Sequence, residues 1–169
     1  MVESSEAAAP GGAAPTGSDA MRAHAEALGL DVDVVERPAA RSLAEAAGLL
    51  GIDPGDIVKS LVVRRSAEEY LFALVPGGRK IDWSLLRAAV GTNRLSLPDA
   101  DQAKAATGYE RGTITPLGST TDWPVFADER IRGRRVALGG GAHGLSTFVS
   151  GDALLDALDA TVGDITAEE

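Results

Sequence analysis

Seven consecutive residues, Ile57-Val58-Lys59-Ser60-Leu61-Val62-Val63, constrain this chain more than any other stretch. Side chains alternate across a strand, so Ile57, Lys59, Leu61 and Val63 share one face, and Val58, Ser60 and Val62 share the other. Both rows are mainly apolar. That predicts a strand buried on both sides and excludes a surface strand with one wet face. A second apolar run, Tyr70–Val75, follows a polar turn and is expected to pair with the first as a hairpin. Lys59 then stands in an apolar row. An ammonium held dry and unpaired costs several kcal/mol, so Lys59 must reach water, a carboxylate or a bound anion. Two readings follow: it lies near a strand end and snorkels outward, or it serves a ligand.

Local signals place the other elements. Ser18 or Asp19 can cap a helix that runs to about Leu28 and stops at Gly29, with Met21, Ala25 and Leu28 on one stripe and His24 on the helix surface. Val32–Glu36 reads as a strand ended by Pro38. Ser42 and Glu45 have capping-box spacing and open a helix closed by Gly51. Asp82 caps a helix closed by Gly91, Arg94–Leu97 reads as a short strand, and Pro98 suits the first turn of a helix to about Ala106. Trp123–Ala127, Arg134–Leu138 and Leu145–Val149 read as strands, and Ser150 caps a last helix bearing Leu154, Leu155, Leu158 and Val162. Helices and strands mix without βαβ alternation, so the expected fold class is α+β. The expected division is a disordered N-terminal tail over 1–17, one domain over 18–163 and a frayed acidic C-terminus over 164–169.

Composition removes several chemistries. There is no cysteine, hence no disulfide, thiolate nucleophile or thiolate metal site. With only His24 and His143, a zinc centre would need several carboxylates, and neither metal nor cofactor is expected. No secretory signal or run of membrane-spanning length is visible, so no membrane partner and a cytoplasmic location are expected. The net charge of −9 speaks against nucleic acid at first sight, but its distribution does not. The acidic surplus lies in 1–20 and 152–169, which carry no basic residue; residues 21–151 hold 16 acidic and 16 basic side chains. A neutral body can carry a local basic patch. Arg130, Arg132, Arg134 and Arg135 form one in sequence, or else a solvated turn.

Three motifs carry possible chemistry. Gly139-Gly140-Gly141-Ala142-His143-Gly144 fits G-x-G-x-x-G, but a strand-like Leu-Ser-Thr-Phe-Val follows where a dinucleotide site needs a helix. What remains is a flexible hairpin turn, or a backbone platform whose N–H groups face a ligand. Gly108–Gly118, punctuated by Gly112 and Pro116, is a second candidate platform, although Gly108 also suits a helix C-cap. Asp128 directly ends the strand Val125-Phe126-Ala127; it can cap the following turn, pair with Lys59, or orient a bound amine or hydroxyl.

Taken in order, Lys59 in its apolar strand, Gly-Tyr-x-x-Gly-x-x-x-Pro-x-Gly at 108–118, Asp128 after a short strand and the late triple glycine resemble the YbaK / prolyl-tRNA synthetase-associated editing-domain family over about residues 20–162. The resemblance implies an α+β domain with a mixed, barrel-like sheet flanked by helices. It implies hydrolysis, in trans, of the ester of mischarged tRNA, commonly tRNA for proline carrying cysteine or alanine. The partners would be the tRNA acceptor end with its amino acid and, potentially, prolyl-tRNA synthetase. Carried over as catalytic are Lys59, Asp128, Gly139, Gly140 and Gly141; as substrate-binding, Gly108, Gly112, Thr113, Pro116 and His143. Many members have two adjacent glycines where this chain has Gly112-Thr113, so Thr113 is expected to place a side chain at the pocket and to bear on amino-acid choice.

The ester is activated, so the chemistry needs little help. Without a cysteine or a Ser-His-Asp arrangement, the ribose hydroxyl would position water and glycine N–H groups would stabilise the carbonyl oxygen, a term of roughly 3–4 kcal/mol per donor. Lys59 would hold the terminal phosphate or the ester oxygens, and Asp128 would orient Lys59 or the α-amine. The competing expectation is a non-catalytic module of the same fold that binds tRNA or a synthetase.

Overall fold

The computed structural model describes residues 15–169. Most of the tail expected to be disordered therefore lies outside the described residues, and Gly17 already opens the first helix. In chain order the elements are α1 (Gly17–Ala27), β1 (Asp33–Glu36), α2 (Leu43–Leu50), β2 (Val58–Ser66), β3 (Glu69–Pro76), β4 (Arg79–Ile81), α3 (Trp83–Val90), α4 (Ala100–Thr107), β5 (Val125–Asp128), β6 (Arg135–Gly139), β7 (Leu145–Ser150), α5 (Gly151–Ala157), β8 (Thr161–Gly163) and β9 (Thr166–Glu168).

The central sheet runs β2-β3-β5-β8. β2 and β3 form the expected antiparallel hairpin, with Lys59 opposite Val75, while β5 and β8 add in parallel. Its two faces are buried in two separate clusters, as the doubly apolar strand requires. Val58, Val62, Phe72 and Leu74 point to one, shared with α1, β6 and β7. Val63, Leu71, Ala73 and Val75 point to the other, closed by Ile81, Leu86 and Ile165. Three caps read from the sequence hold: Ser42 accepts from the Glu45 amide, Asp82 from Leu85 and Ser150 from Ala153. Two readings do not: Ser18 and Asp19 lie inside α1, whose N-cap is Thr16, and the Glu45 carboxylate takes the Arg41 amide instead of closing a capping box on Ser42. Pro98 sits one residue before the N-cap of the helix it was expected to open, because Asp99 caps that helix and forms a complete capping box with Gln102.

The α+β domain and its mixed sheet are present, but the barrel-like closure is not. β1-β7-β6 and β4-β9 are separate sheets. A single parallel bridge, Ile57 to Ala137, ties β2 to β6, and past it no ladder joins the two. The expected strand at Arg94–Leu97 is likewise one bridge, Ser96 to Arg64. Most of the outer edge of β2 is thus left unpaired, which makes room for a site.

The C-terminus is also corrected. α5 stops at Ala157, Asp159 turns the chain at φ 53°, and Val162 lies in β8 rather than on the helix. Residues 166–168, expected to fray, pair as β9 with β4, and Ile165 beside them is buried. Acidic composition suggested a solvated tail; the apolar anchor Ile165 and the buried Thr166 override it.

Candidate functional site

The open edge of β2 forms one wall of a cleft of about 520 Å3. Ile57–Val62 face Ala137–Gly139 of β6 across it, with Leu145 and Ser146 of β7 beyond. Arg37, then Ala46 and Leu50 of α2, Leu97 to Ala100 before and at the start of α4, Ala103, and Arg111, Gly112 and Ile114 complete the lining. The volume is in the range of small-molecule sites, and the walls are apolar with a few convergent polar groups.

Lys59, Gly112 and Gly139 meet in this cleft. The other seven candidates do not line it. Lys59 is half-buried; its Nζ donates to the Arg79 carbonyl at 2.6 Å and lies 3.6 Å from a Glu169 carboxylate oxygen. An ammonium has three hydrogens, so at least one remains for a substrate after these contacts. Lys59 thus reaches a carboxylate, one of the three partners expected of it, and it belongs to a cleft wall.

Asp128 does not pair with Lys59. It is fully buried at the end of β5 and caps the next turn by accepting from the Arg130 amide at 3.0 Å. It also takes the Arg130 guanidinium, the Ile165 amide and the Thr166 hydroxyl, the last at 2.7 Å. Burial pushes its pKa up, but the hydrogen bonds from Thr166, Arg130 and Ile165 outweigh that and hold it below the usual carboxylate value. Asp128 is nevertheless connected to Lys59. Thr166 Oγ1 donates to Asp128 and accepts from Arg79 Nε at 2.7 Å, and the Arg79 carbonyl holds Lys59 Nζ. Asp128 is thus linked to the ammonium through Thr166, the Arg79 side chain and the Arg79 backbone carbonyl, and not by an ion pair of its own with Lys59.

The glycine loops are mainly packing devices. A Cβ on Gly139 would sit 2.5 Å from the Ile114 carbonyl oxygen, so glycine lets the 108–118 loop lie directly on β6. Gly140 is buried against Leu145, and the Gly141 amide is already spent on the Thr113 carbonyl at 3.1 Å. That removes Gly141 as a free donor for an oxyanion. Gly108 is the left-handed C-cap of α4. Thr113 is buried and donates to the Glu110 carbonyl, away from the cleft, and Pro116 is buried beside it. Gly112, at φ +88°, is the exposed member that lines the cleft, and a Cβ there would meet His143 Cε1 at 3.8 Å. His143 is exposed and lines a shallower depression with Arg37 and Gly144. His24 is not a free surface residue: its Nδ1 accepts from the Gly118 amide at 2.8 Å and fastens α1 to this loop.

Four lining residues escaped the sequence reading. Ser60 has a buried hydroxyl without a hydrogen-bond partner among the described residues. Its signal was present, a polar residue between Val58 and Val62 on one strand face. Arg37 Nε donates to Ser146 Oγ at 3.2 Å, bringing two residues 109 positions apart into one wall, which no local pattern shows. Arg111 lines the mouth and forms no ion pair among the described residues. By contrast, the arginine cluster read from sequence is neutralised. Arg130 pairs with Asp128 and Asp164, Arg132 with Asp152 and Asp156, Arg134 with Asp56, and Arg135 with Asp33.

Comparison with known proteins agrees with this architecture. A family model described as an aminoacyl-tRNA editing domain matches residues 37–157. A protein of Enterococcus faecalis named as a candidate Cys-tRNA(Pro)/Cys-tRNA(Cys) deacylase, EbsC, is 28% identical over 131 residues, covering 77% of this chain and 78% of that protein. A proline–tRNA ligase of Pelotomaculum thermopropionicum is 40% identical over 83 residues, which is 49% of this chain but 14% of the ligase. A crystal structure described as a candidate trans-editing enzyme for prolyl-tRNA synthetase superposes with a TM-score of 0.81 at 29% identity, covering 89% of this chain and 96% of that one. Among the described residues, no helix is long and apolar enough to cross a membrane.

Proposed function

Because this chain belongs to the aminoacyl-tRNA editing domain family, we propose that its cleft is the site of a free-standing aminoacyl-tRNA deacylase acting in trans. The observation that carries the proposal is the meeting of Lys59, Gly112 and Gly139 in one cleft of about 520 Å3, on a domain that matches free-standing relatives over most of their length. The substrate is the ester of a mischarged tRNA; the name of the Enterococcus relative points to tRNA for proline carrying cysteine, and alanine is the second amino acid that the family resemblance implies.

In this reading the terminal adenosine and its amino acid enter between β2 and β6. Lys59, held by Arg79, offers a remaining N–H to the ester oxygens or the terminal phosphate. Water attacks the ester carbonyl, the tetrahedral intermediate collapses, and the ribose oxygen leaves and is protonated. The neighbouring ribose hydroxyl positions the water, so no protein nucleophile is required. Arg111 and Arg37 supply positive charge at the cleft for the phosphate. Discrimination rests on pocket size, where one methylene is worth about 1–3 kcal/mol.

The test is release of amino acid from cysteinyl- and alanyl-tRNA for proline by the wild-type chain and by Lys59→Ala. The expected result is release by the wild type and a loss of at least a hundredfold in a folded Lys59→Ala protein. Stoichiometric retention of charged tRNA without release would replace the enzyme by a binding module.

A further inference from the structure

We propose that the 3′ end of the tRNA leaves the cleft along β2 and that its phosphodiester backbone lies in a second, basic depression lined by Arg64, Arg65 and Arg94. This rests on the deacylase reading for the identity of the nucleic acid, and on separate observations for the place. The depression has a volume of about 490 Å3, and Ser66 and Ser96 add polar groups to its wall. Arg64 continues the Ser60 and Val62 row, Arg65 stands at the register shift between the Arg64–Tyr70 and Ser66–Glu69 pairs, and Arg94 comes from the facing segment. That segment is fixed by reciprocal bonds, Arg64 amide to Ser96 carbonyl at 2.7 Å and Ser96 amide to Arg64 carbonyl at 3.1 Å.

Three arginines without a carboxylate partner among the described residues converge here. The arginines at 130, 132, 134 and 135 all meet carboxylates, whereas none of Arg64, Arg65 and Arg94 forms an ion pair among the described residues. The acid next to the depression, Glu69, accepts from the Ser66 hydroxyl at 3.0 Å, and Arg64 Nε donates to the Ser66 carbonyl. Guanidinium groups present planar forks that match phosphate oxygens. At a strand rise of about 3.3 Å per residue, Arg64 lies about 7 Å past Val62, the last cleft residue of β2, and about 17 Å past Lys59. That is the reach of the few unpaired nucleotides at a tRNA 3′ end. The cleft would therefore read the aminoacylated nucleoside while the depression holds the backbone behind it.

The experiment measures binding of unacylated tRNA for proline to the full chain over a series of salt concentrations. It compares wild type, Arg65→Gln/Arg94→Gln, and the control Arg132→Gln/Arg135→Gln, with folding checked by thermal melts. Each phosphate contact contributes about 0.7–0.9 to the slope of log K against log salt, so losing two should flatten it by about 1.4–1.8. The expected result is that flattening, with affinity at least tenfold weaker, for the 65/94 variant and not for the control. Wild-type affinity and slope in the 65/94 variant overturn the proposal. Equal loss in both variants also overturns it, because only net charge would then matter. Binding is read without turnover, so a wild type that binds as expected but hydrolyses nothing removes the catalytic reading and leaves this surface standing.

Discussion

Thr166→Val isolates the relay that joins Asp128 to Lys59. Valine keeps the shape of threonine and removes the hydroxyl that donates to Asp128 and accepts from Arg79 Nε, each at 2.7 Å. The site is buried, so water does not replace the lost partner. A hydrogen bond to a charged group contributes about 1.5–3 kcal/mol, so a destabilisation of about 2 kcal/mol is expected. For a domain of this size that lowers Tm by roughly 4–8 °C. Asp128 keeps its other partners, so the fold should survive. Arg79 retains its weaker bond to the Thr166 carbonyl, at 3.3 Å, and its place opposite Glu168 in the β4–β9 pair, but its Nε loses the hydroxyl and the end of β4 is held less firmly. The Arg79 carbonyl holds Lys59 Nζ, so the ammonium loses its fixed position. Misplacing a catalytic group by about 1 Å can cost 10²-fold, and a fall in kcat of at least tenfold with little change in KM is expected. Single-turnover release from mischarged tRNA, measured well below the melting transition, is the assay. Thr166→Ser keeps the hydroxyl and should restore the rate. An unchanged kcat in folded Thr166→Val would refute the relay, as would a Thr166→Ser protein as slow as the valine variant.

Three further outcomes follow from the same geometry. Ser60→Ala should stabilise the fold by about 1 kcal/mol in urea melts, because it removes a buried hydroxyl that has no partner among the described residues, and should raise KM for mischarged tRNA; a destabilised variant with unchanged kinetics would contradict both statements. Thr113→Gly should cost about 1–2 kcal/mol, from the lost bond to Glu110 and the freer unfolded chain, while leaving the preference between alanyl- and cysteinyl-tRNA unchanged, since Thr113 does not line the cleft. A shift in that preference would show that the side chain reaches the substrate. The pKa of Asp128 is lowered on folding, so its contribution is fully present above the unfolded value, near 3.9, and is lost as pH falls through the folded value. The Tm difference between wild type and Asp128→Asn should therefore be constant near pH 6 and shrink below about pH 4; a gap that widens in acid would reverse the sign of the argument.

Strand and helix identity was legible because it depends on near neighbours. Apolar alternation announced a strand buried on both faces, and Ser42, Asp82 and Ser150 announced helix starts. The order of Lys59 and the two glycine loops was enough to mark the family. Roles within the site were less legible. Gly140, Gly141 and Thr113 sit near the cleft in sequence terms, yet they are consumed in packing one loop on β6. The arginine run at 130–135 looked like a basic patch because the carboxylates that neutralise it come from distant segments, at 33, 56, 152, 156 and 164.

By itself the sequence determined the doubly buried strand, the caps around it, the class of fold and the lysine on which the chemistry is proposed to turn. Those follow from periodicity and from local hydrogen-bond chemistry, which act over a few residues. Tertiary structure alone decided that β2 and β6 meet at one bridge and leave a cleft, that Arg37 joins Ser146 across it, and that Asp128 reaches Lys59 only through Thr166 and Arg79. These contacts link positions separated by 20 to 109 residues. Their geometry is set by how the sheets pack, and no local pattern in the chain encodes it.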